Sequence, residues 1–210
     1  MLAGENKMAY FPLFLQLEKT PCLIVGGGKI AFQKVKVLLE FEADIMVVSP
    51  DIIEEITKLG VICYRREFSE EDLKGKALVV AATDDNLLNH RIAKFCRDRK
   101  ILVNCVDQIA DCDFIFPSYI KEGGIVIGIS SSGKGPVMTQ YLKGKIQKVV
   151  TKQMGQLAEF LGSMRPRVKE EIIIEERRKK IYQDLLQLGL KKKSLPDENE
   201  TEEIIKKYKK

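Results

Sequence analysis

A chain of 210 residues with 45% hydrophobic content can bury a core of its own, as one ordinary domain with a smaller one appended. No apolar run reaches the roughly 18 residues of a membrane-spanning helix, and Met1 to Tyr10 lacks the basic and then apolar composition of an export leader, so a soluble, cytoplasmic protein with no membrane partner is expected. The net charge of +5 is uneven: from Lys143 onward 18 Lys/Arg face 11 Asp/Glu, a surplus of +7 that leaves −2 on the first 142 residues.

Lysines that alternate with glutamates, with few aromatics between them, argue against nucleic acid as the partner of that basic half. A small anionic partner remains open, beside the plain reading of solvated helix faces. The five cysteines are odd in number, scattered and without a C-x-x-C pair, so buried thiols are expected rather than a disulfide framework or a zinc knuckle. With His90 the single histidine, a metal centre of clustered imidazoles is excluded and no metal ligand is assigned.

In chain order, Cys22–Val25 reads as a first strand, and Ala31, Val35, Leu38 and Leu39 then fall on one face of a helix. Further strands are expected at 45–49, 61–64, 77–83 and 101–107, separated by segments of helical period. That alternation predicts a parallel sheet covered by helices. The grammar then changes. "FIFPSYIKEGGIVIGISSSGKGP" alternates apolar and polar residues around Lys121-Glu122-Gly123-Gly124 and predicts a hairpin. From Pro136 the chain is helical in period, with Val137, Tyr141, Ile146, Val149 and Val150 roughly sharing a face, and a second helical stretch is expected over 168–190. The tail after Lys191 is highly charged and reads as frayed or disordered.

Gly26-x-Gly28-x-x-Ala31 follows a strand and opens a helix. In that context the pattern predicts a dinucleotide turn: Gly26 for tight reversal, Gly28 for close approach of a pyrophosphate, and Ala31 for close packing of helix on strand. Free N–H groups at the helix start favour the anion. The second strand ends at Ser49-Pro50-Asp51, where Asp51 either reaches a ribose or, with Glu54, forms a helix capping box. No Arg or Lys stands beside it to take a 2′-phosphate, so NAD is expected over NADP. Thr83, Asp84 and Asp85 follow the fourth strand at the ligand-binding edge of such sheets, with Asp84 or Asp85 also a candidate helix cap. Tyr141-x-x-x-Lys145 has the spacing of short-chain dehydrogenases without their other features. His90 suits a polar surface or capping role.

The segments "FPLFLQLEKTPCLIVGGGKIAFQKVKVLL", "AATDDNLLNHRIAKFC", "VNCVDQIADCDFIFPSYI" and "GISSSGKGPVMTQYL", in this order, resemble the precorrin-2 dehydrogenases of the siroheme synthase family, over about residues 9–190. The resemblance implies a Rossmann-like α/β fold: an NAD-binding domain over 1–113, a β-hairpin dimerisation region over 114–145 and a C-terminal helical domain over 146–210. It implies NAD-dependent oxidation of precorrin-2 to sirohydrochlorin by an intertwined homodimer, its active site between the nucleotide-binding domain and the dimerisation region. In some members it also implies insertion of Fe2+ to give siroheme. By the same likeness Asp107 matches the catalytic aspartate and Asn104 its strand neighbour. Gly28, Lys29 and Ile30 match the pyrophosphate turn, Pro50 and Asp51 the segment after the second strand, and Ser131 a serine phosphorylated in some relatives. No methyltransferase segment is present, so the earlier methylations are expected from another protein.

Chemically, the oxidation moves a hydride to nicotinamide and releases a proton, and a carboxylate at the sheet edge, with partial burial raising its pKa, serves as the base. Iron insertion needs the chain only to bend the macrocycle and accept pyrrole protons. Backbone N–H groups over 130–136, with Ser130, Ser131 and Lys134, are candidate holders of the substrate's carboxylates, against the plainer reading of a Gly-rich helix entry. The competing expectation is an NAD-sensing regulatory module without catalysis.

Overall fold

In a computed structural model, residues 10–209 are described. Nearly all of the opening segment Met1 to Tyr10 lies outside the described residues. The chain divides into two compact units, one from Tyr10 to Phe116 and one that takes in everything from Pro117 onward.

In the unit from Tyr10 to Phe116, five parallel strands, β1 (Pro21–Val25), β2 (Asp44–Val48), β3 (Ile62–Tyr64), β4 (Leu78–Ala81) and β5 (Leu102–Cys105), stand in the order β3-β2-β1-β4-β5. Helix α1 (Lys29–Glu40) links β1 to β2, the short α2 (Glu54–Thr57) leads to β3, and α3 (Asn86–Asp98) links β4 to β5. Successive strand residues point to opposite faces, so the continuous apolar runs build two cores at once. Ile24, Val47 and Val80 pack with Val35 and Leu38 of α1 on one face. Leu23, Val79 and Val103 pack with Ile92 and Cys96 of α3 on the other. Because the chain runs outward from β1 in one direction and then restarts at β4 in the other, a crevice opens beyond the carboxyl ends of β1 and β4, where doubly wound sheets bind ligands.

The fourth and fifth strands are shorter than expected. Pairing ends where the Ala82 N–H donates to Val25 O (2.8 Å) and the Val106 N–H to Ala81 O (2.9 Å). Thr83 and Asp107 therefore stand on the connecting loops. The Asp51 to Glu54 capping box does not form: α2 is preceded by Ile53 in extended conformation with no side-chain cap, and Asp51 stays exposed. Of the two acids after β4, Asp85 caps α3, accepting from the Leu87 and Leu88 N–H groups (2.9 and 3.1 Å), and Asp84 does not.

In the second unit, β6 (Ser118–Glu122) and β7 (Ile125–Ile129) form the expected antiparallel hairpin. Helices α4 (Pro136–Gln147), α5 (Lys152–Ser163), α6 (Arg165–Glu171), α7 (Glu175–Lys192) and α8 (Glu198–Lys209) follow. The hairpin turns at Gly123 (φ +53°), and a Cβ on Gly155 of α5 would lie 3.0 Å from the Gly123 nitrogen, so that glycine lets the turn seat against α5. The expected helix over 168–190 is interrupted at Ile172–Ile174, which separates α6 from α7. Contrary to expectation, the charged tail is ordered. Asp197 and Glu200 exchange a capping box (3.0 and 2.9 Å) at the start of α8, whose Thr201 and Ile205 are buried. Their spacing marks one apolar face, and the charges on the remaining faces masked it. Arg167, braced within α6 by Glu171 (2.8 Å), ties that helix to α8 through Glu198 (2.6 Å) and Glu202.

All five cysteines are free thiols. Burial pushes the Cys22 thiol up to about 11 and those of Cys96 and Cys105 up to about 12.

Candidate active site at the carboxyl edge of the parallel sheet

The three glycines after β1 divide by cause. Gly26 has φ +120°, and a Cβ there would lie 2.7 Å from the Ala82 carbonyl carbon. Gly27 could carry no Cβ either, since it would meet Ile52 Cα at 2.7 Å. Gly28 differs. Its φ is −88°, a Cβ would meet nothing within 4 Å, and it caps α1 without a side-chain acceptor. The first intrahelical bond of α1 runs from the Phe32 N–H to Gly28 O (3.0 Å), so the N–H groups of Lys29, Ile30 and Ala31 precede it. With no acid in that first turn, the helix start offers an anion free donors, the positive end of the dipole and an open approach over Gly28. These residues fit the pyrophosphate of a dinucleotide, and Ala31, fully buried, seats α1 on the sheet.

The loop after β2 borders the same edge. The Ser49 N–H donates to Tyr64 O (3.1 Å), while Pro50 and Asp51 are exposed. Arg65, distant in sequence, reaches this loop and donates to Ile52 O (2.9 Å). Sequence adjacency had suggested that no base stood near Asp51.

After β4, Thr83 is fixed rather than free. Its N–H and hydroxyl donate to Asn89 Oδ1 (3.3 and 2.8 Å), and Asn89 Nδ2 returns a bond to Thr83 O (2.9 Å). Asn89, fully buried, was missed in the sequence because a helical Asn carries no local signal. Asp84 is left exposed beside this clamp.

Beyond β5, Asp107 has φ +59° and is exposed, not partly buried as expected. The loop behind it is clamped on several sides. The buried Asn104 donates from Nδ2 to Phe114 O (2.9 Å), Asp113 accepts from the Val103 N–H (3.1 Å), and Cys112 Sγ accepts from the Cys105 N–H (3.2 Å). His90 Nδ1 meets the Asp111 carboxylate at 2.8 Å, so this histidine pins the loop to α3. Gln108 donates to Asn86 O (3.0 Å) and leaves its buried Oε1 without a partner. Lys34 of α1 lies with its ammonium 4.0 Å from the Phe116 ring centre. Burial pushes that ammonium below the usual lysine range, with the charges of Cys112 and Asp107 acting the other way. Lys34 also went unnoticed, as one lysine among many on a helix.

Gly26–Gly28, Ser49–Asp51, Thr83–Asp84 and Val106–Asp107 thus follow the carboxyl ends of β1, β2, β4 and β5 of one sheet, with Asn104 one residue inside the end of β5. Ser130, Ser131 and Lys134 belong to the other unit. There Ser131 Oγ accepts from the Gly135 N–H (2.9 Å) and Ser130 Oγ from the Ser132 N–H (3.0 Å), so two of the backbone donators expected to hold carboxylates are satisfied by the turn itself. Lys134 is exposed. Tyr141 and Lys145 are both exposed on α4, with the ammonium 5.4 Å from the ring centre, a cation over a ring rather than a catalytic pair.

Residues 13–118 match the family described as putative NAD(P)-binding. The chain belongs to that family. The match spans the glycine turn, the crevice and Asp107, and the expectation of a nicotinamide dinucleotide as cofactor is met by the family. Among curated relatives, siroheme synthases of Ruthia magnifica, Photorhabdus laumondii and Zymomonas mobilis are 36%, 37% and 38% identical over 81%, 84% and 81% of this chain. The resemblance expected from the sequence is therefore met. This chain spans only 37% to 38% of the length of those relatives. The solved structure of SirC, a precorrin-2 dehydrogenase, matches with a TM-score of 0.72 over 95% of this chain and 98% of that one, at 24% identity, a likeness of fold. Among the described residues no helix is long and apolar enough to cross a membrane.

Proposed function

We propose that this family member is an NAD-dependent precorrin-2 dehydrogenase acting in the cytoplasm, which oxidises precorrin-2 to sirohydrochlorin and also inserts Fe2+ as substrate to give siroheme. The observation that carries the reading is Gly28: neither backbone conformation nor packing within the chain requires a glycine there, and a ligand pressed on the helix start does. The siroheme synthase likeness supports the choice of substrate.

In this reading Gly28, Lys29 and Ile30 hold the pyrophosphate through backbone N–H groups. Ser49, Pro50 and Asp51 flank a ribose, and the Asp51 carboxylate disfavours a 2′-phosphate, which selects NAD over NADP. Thr83 and Asp84 border the far side of the crevice. NAD supplies the hydride acceptor. Asp107 accepts the proton released from the tetrapyrrole and, in iron insertion, the pyrrole protons; its exposed position leaves it open to a large ligand. Asn104 holds the loop that presents it. Ser130, Ser131 and Lys134 bind substrate carboxylates.

The division into 1–113, 114–145 and 146–210 belongs to the same proposal, with 114–145 as the homodimer contact. Helix α4 supports it, having no buried residue and leaving Val137, Met138, Tyr141 and Leu142 exposed.

The test is to incubate the protein with NAD and enzymatically made precorrin-2 and to follow NADH absorbance. Production well above the spontaneous rate is expected, and none above it favours the NAD-sensing alternative. Ferrous iron added to sirohydrochlorin, with and without protein, reads the second activity.

A further inference from the structure

The second unit contains a groove of about 620 Å³ between α5, α6 and α7, a size usual for small-molecule sites. Arg165 and Lys169 of α6 border it one turn apart, and Arg178 and Lys179 of α7 face them. Among its lining residues Glu175 is the single acid. Leu161 and Tyr182, both half-buried, form an apolar floor. At Gly162, on the groove wall, a Cβ would meet nothing within 4 Å.

Several cations elsewhere on these helices are paired within the fold, while others, such as Lys152, Lys180 and Lys191, are simply exposed on convex faces. Arg167 is held by Glu171, Glu198 and Glu202, Lys192 by Glu200, Lys207 by Asp184, and Lys209 by Glu171. Arg165, Lys169 and Lys179 make no ion pair among the described residues. Arg178 is anchored by donating to Ile172 O (3.0 Å) and Ile173 O (2.8 Å), which fixes a guanidinium at the groove edge without cancelling its charge. Solvated surface lysines would be scattered over convex faces. Here four cations converge on one apolar concavity, and that arrangement calls for a ligand with an apolar body and several acidic groups. Inorganic phosphate or citrate would leave the floor unused.

We infer that this groove is a docking site for a polycarboxylate tetrapyrrole, formed by the second unit alone. The choice of ligand rests on the substrate reading above. Apolar area on the floor supplies affinity for the macrocycle, and the unpaired cations engage its peripheral carboxylates. Partial exposure makes the charged part strongly salt-dependent.

The experiment titrates uroporphyrin, a stable octacarboxylate tetrapyrrole, into the full chain and reads porphyrin fluorescence. Three proteins are compared: wild type, Arg165→Glu/Lys169→Glu/Lys179→Glu, and the control Lys148→Glu/Lys152→Glu/Lys193→Glu, which carries the same change in net charge on exposed positions. The groove triple is expected to weaken binding at least about tenfold, equivalent to about 1.4 kcal/mol, with the control close to wild type. A milder Lys169→Gln/Lys179→Gln variant gives an intermediate loss, which guards against misfolding of the triple. Equal affinity of the groove triple and wild type, or equal loss in groove and control triples, overturns the inference. Porphyrin binding lost only in the groove variants, with no NADH formed from precorrin-2, would sink the dehydrogenase reading and leave the groove standing.

Discussion

The carbonyl carbon of Ala82, just beyond β4, lies 2.7 Å from where a Cβ on Gly26 would sit. That approach locks the glycine turn to the neighbouring strand and separates the folding role of Gly26 from the binding role proposed for Gly28. Gly26→Ala places a side chain against backbone at φ +120° and is expected to cost about 1–3 kcal/mol, seen as a lower melting temperature. Gly28→Ala, entering open space at an ordinary φ, leaves the melting temperature nearly unchanged and weakens NAD binding about tenfold or more, read by calorimetric titration. Equal effects of the two substitutions on melting would contradict this division.

Asp107 occupies the left-handed region, which asparagine tolerates and alanine does not tolerate well. Asp107→Asn is therefore the cleaner probe of the carboxylate. It is expected to melt with wild type and to slow chelation more than oxidation, since orienting two rings in contact supplies much of the oxidation rate. Asp107→Ala adds strain to the same chemical loss. Wild-type rates in both assays for Asp107→Asn would remove this carboxylate from the mechanism.

Asp72 is buried between the Arg66 guanidinium (2.5 and 2.8 Å) and the Ser69 N–H (2.9 Å), and the bond from Arg66 holds its carboxyl below the usual aspartate value. A depressed folded-state value means stability that is fully present above the unfolded pKa of about 3.9 and is lost as pH falls through the folded value. Asp72→Ala should cost about 1–3 kcal/mol near neutral pH and flatten the acid limb of the stability profile below about pH 4. Urea titrations of both proteins at several pH values measure this, and parallel profiles would contradict it.

Ile205 of α8 is fully buried among Val168, Ile181 and Leu185. Ile205→Ala is expected to destabilise the helical unit by about 2–5 kcal/mol, and Lys206→Ala, an exposed neighbour, by less than about 0.5 kcal/mol. Chemical denaturation followed by far-UV circular dichroism distinguishes them; a silent Ile205→Ala would mean that α8 is not docked in solution.

What could be read from the sequence was what local pattern encodes. The apolar runs of β1 and β4, the glycine turn and the Gly123-Gly124 hairpin each carry their signal within a few residues. Long-range partners carry none. Asn89 reaching back to Thr83, His90 meeting Asp111, Arg65 at the loop of Ile52 and Lys34 over Phe116 all depend on how distant elements meet. Strand ends were overextended at Thr83 and Asp107 because a single apolar residue, Ala82 or Val106, follows each strand and nothing local marks where the ladder stops. The helix at the C-terminus was hidden by its charge: Thr201, Ile205 and Tyr208 mark a single stripe among lysines and glutamates. The Asp51 to Glu54 pair shows the reverse error, a capping spacing that the chain's path around Gly27 leaves unused.

The sulfurs buried against the sheet have a chemical consequence. With Cys96 and Cys105 pushed up to about 12 and Cys22 to about 11, these side chains hold almost no thiolate at neutral pH. Peroxides and alkylating electrophiles attack the anion, so these positions are inert while the fold is intact. The fold thus keeps three of its sulfurs out of reach of oxidants.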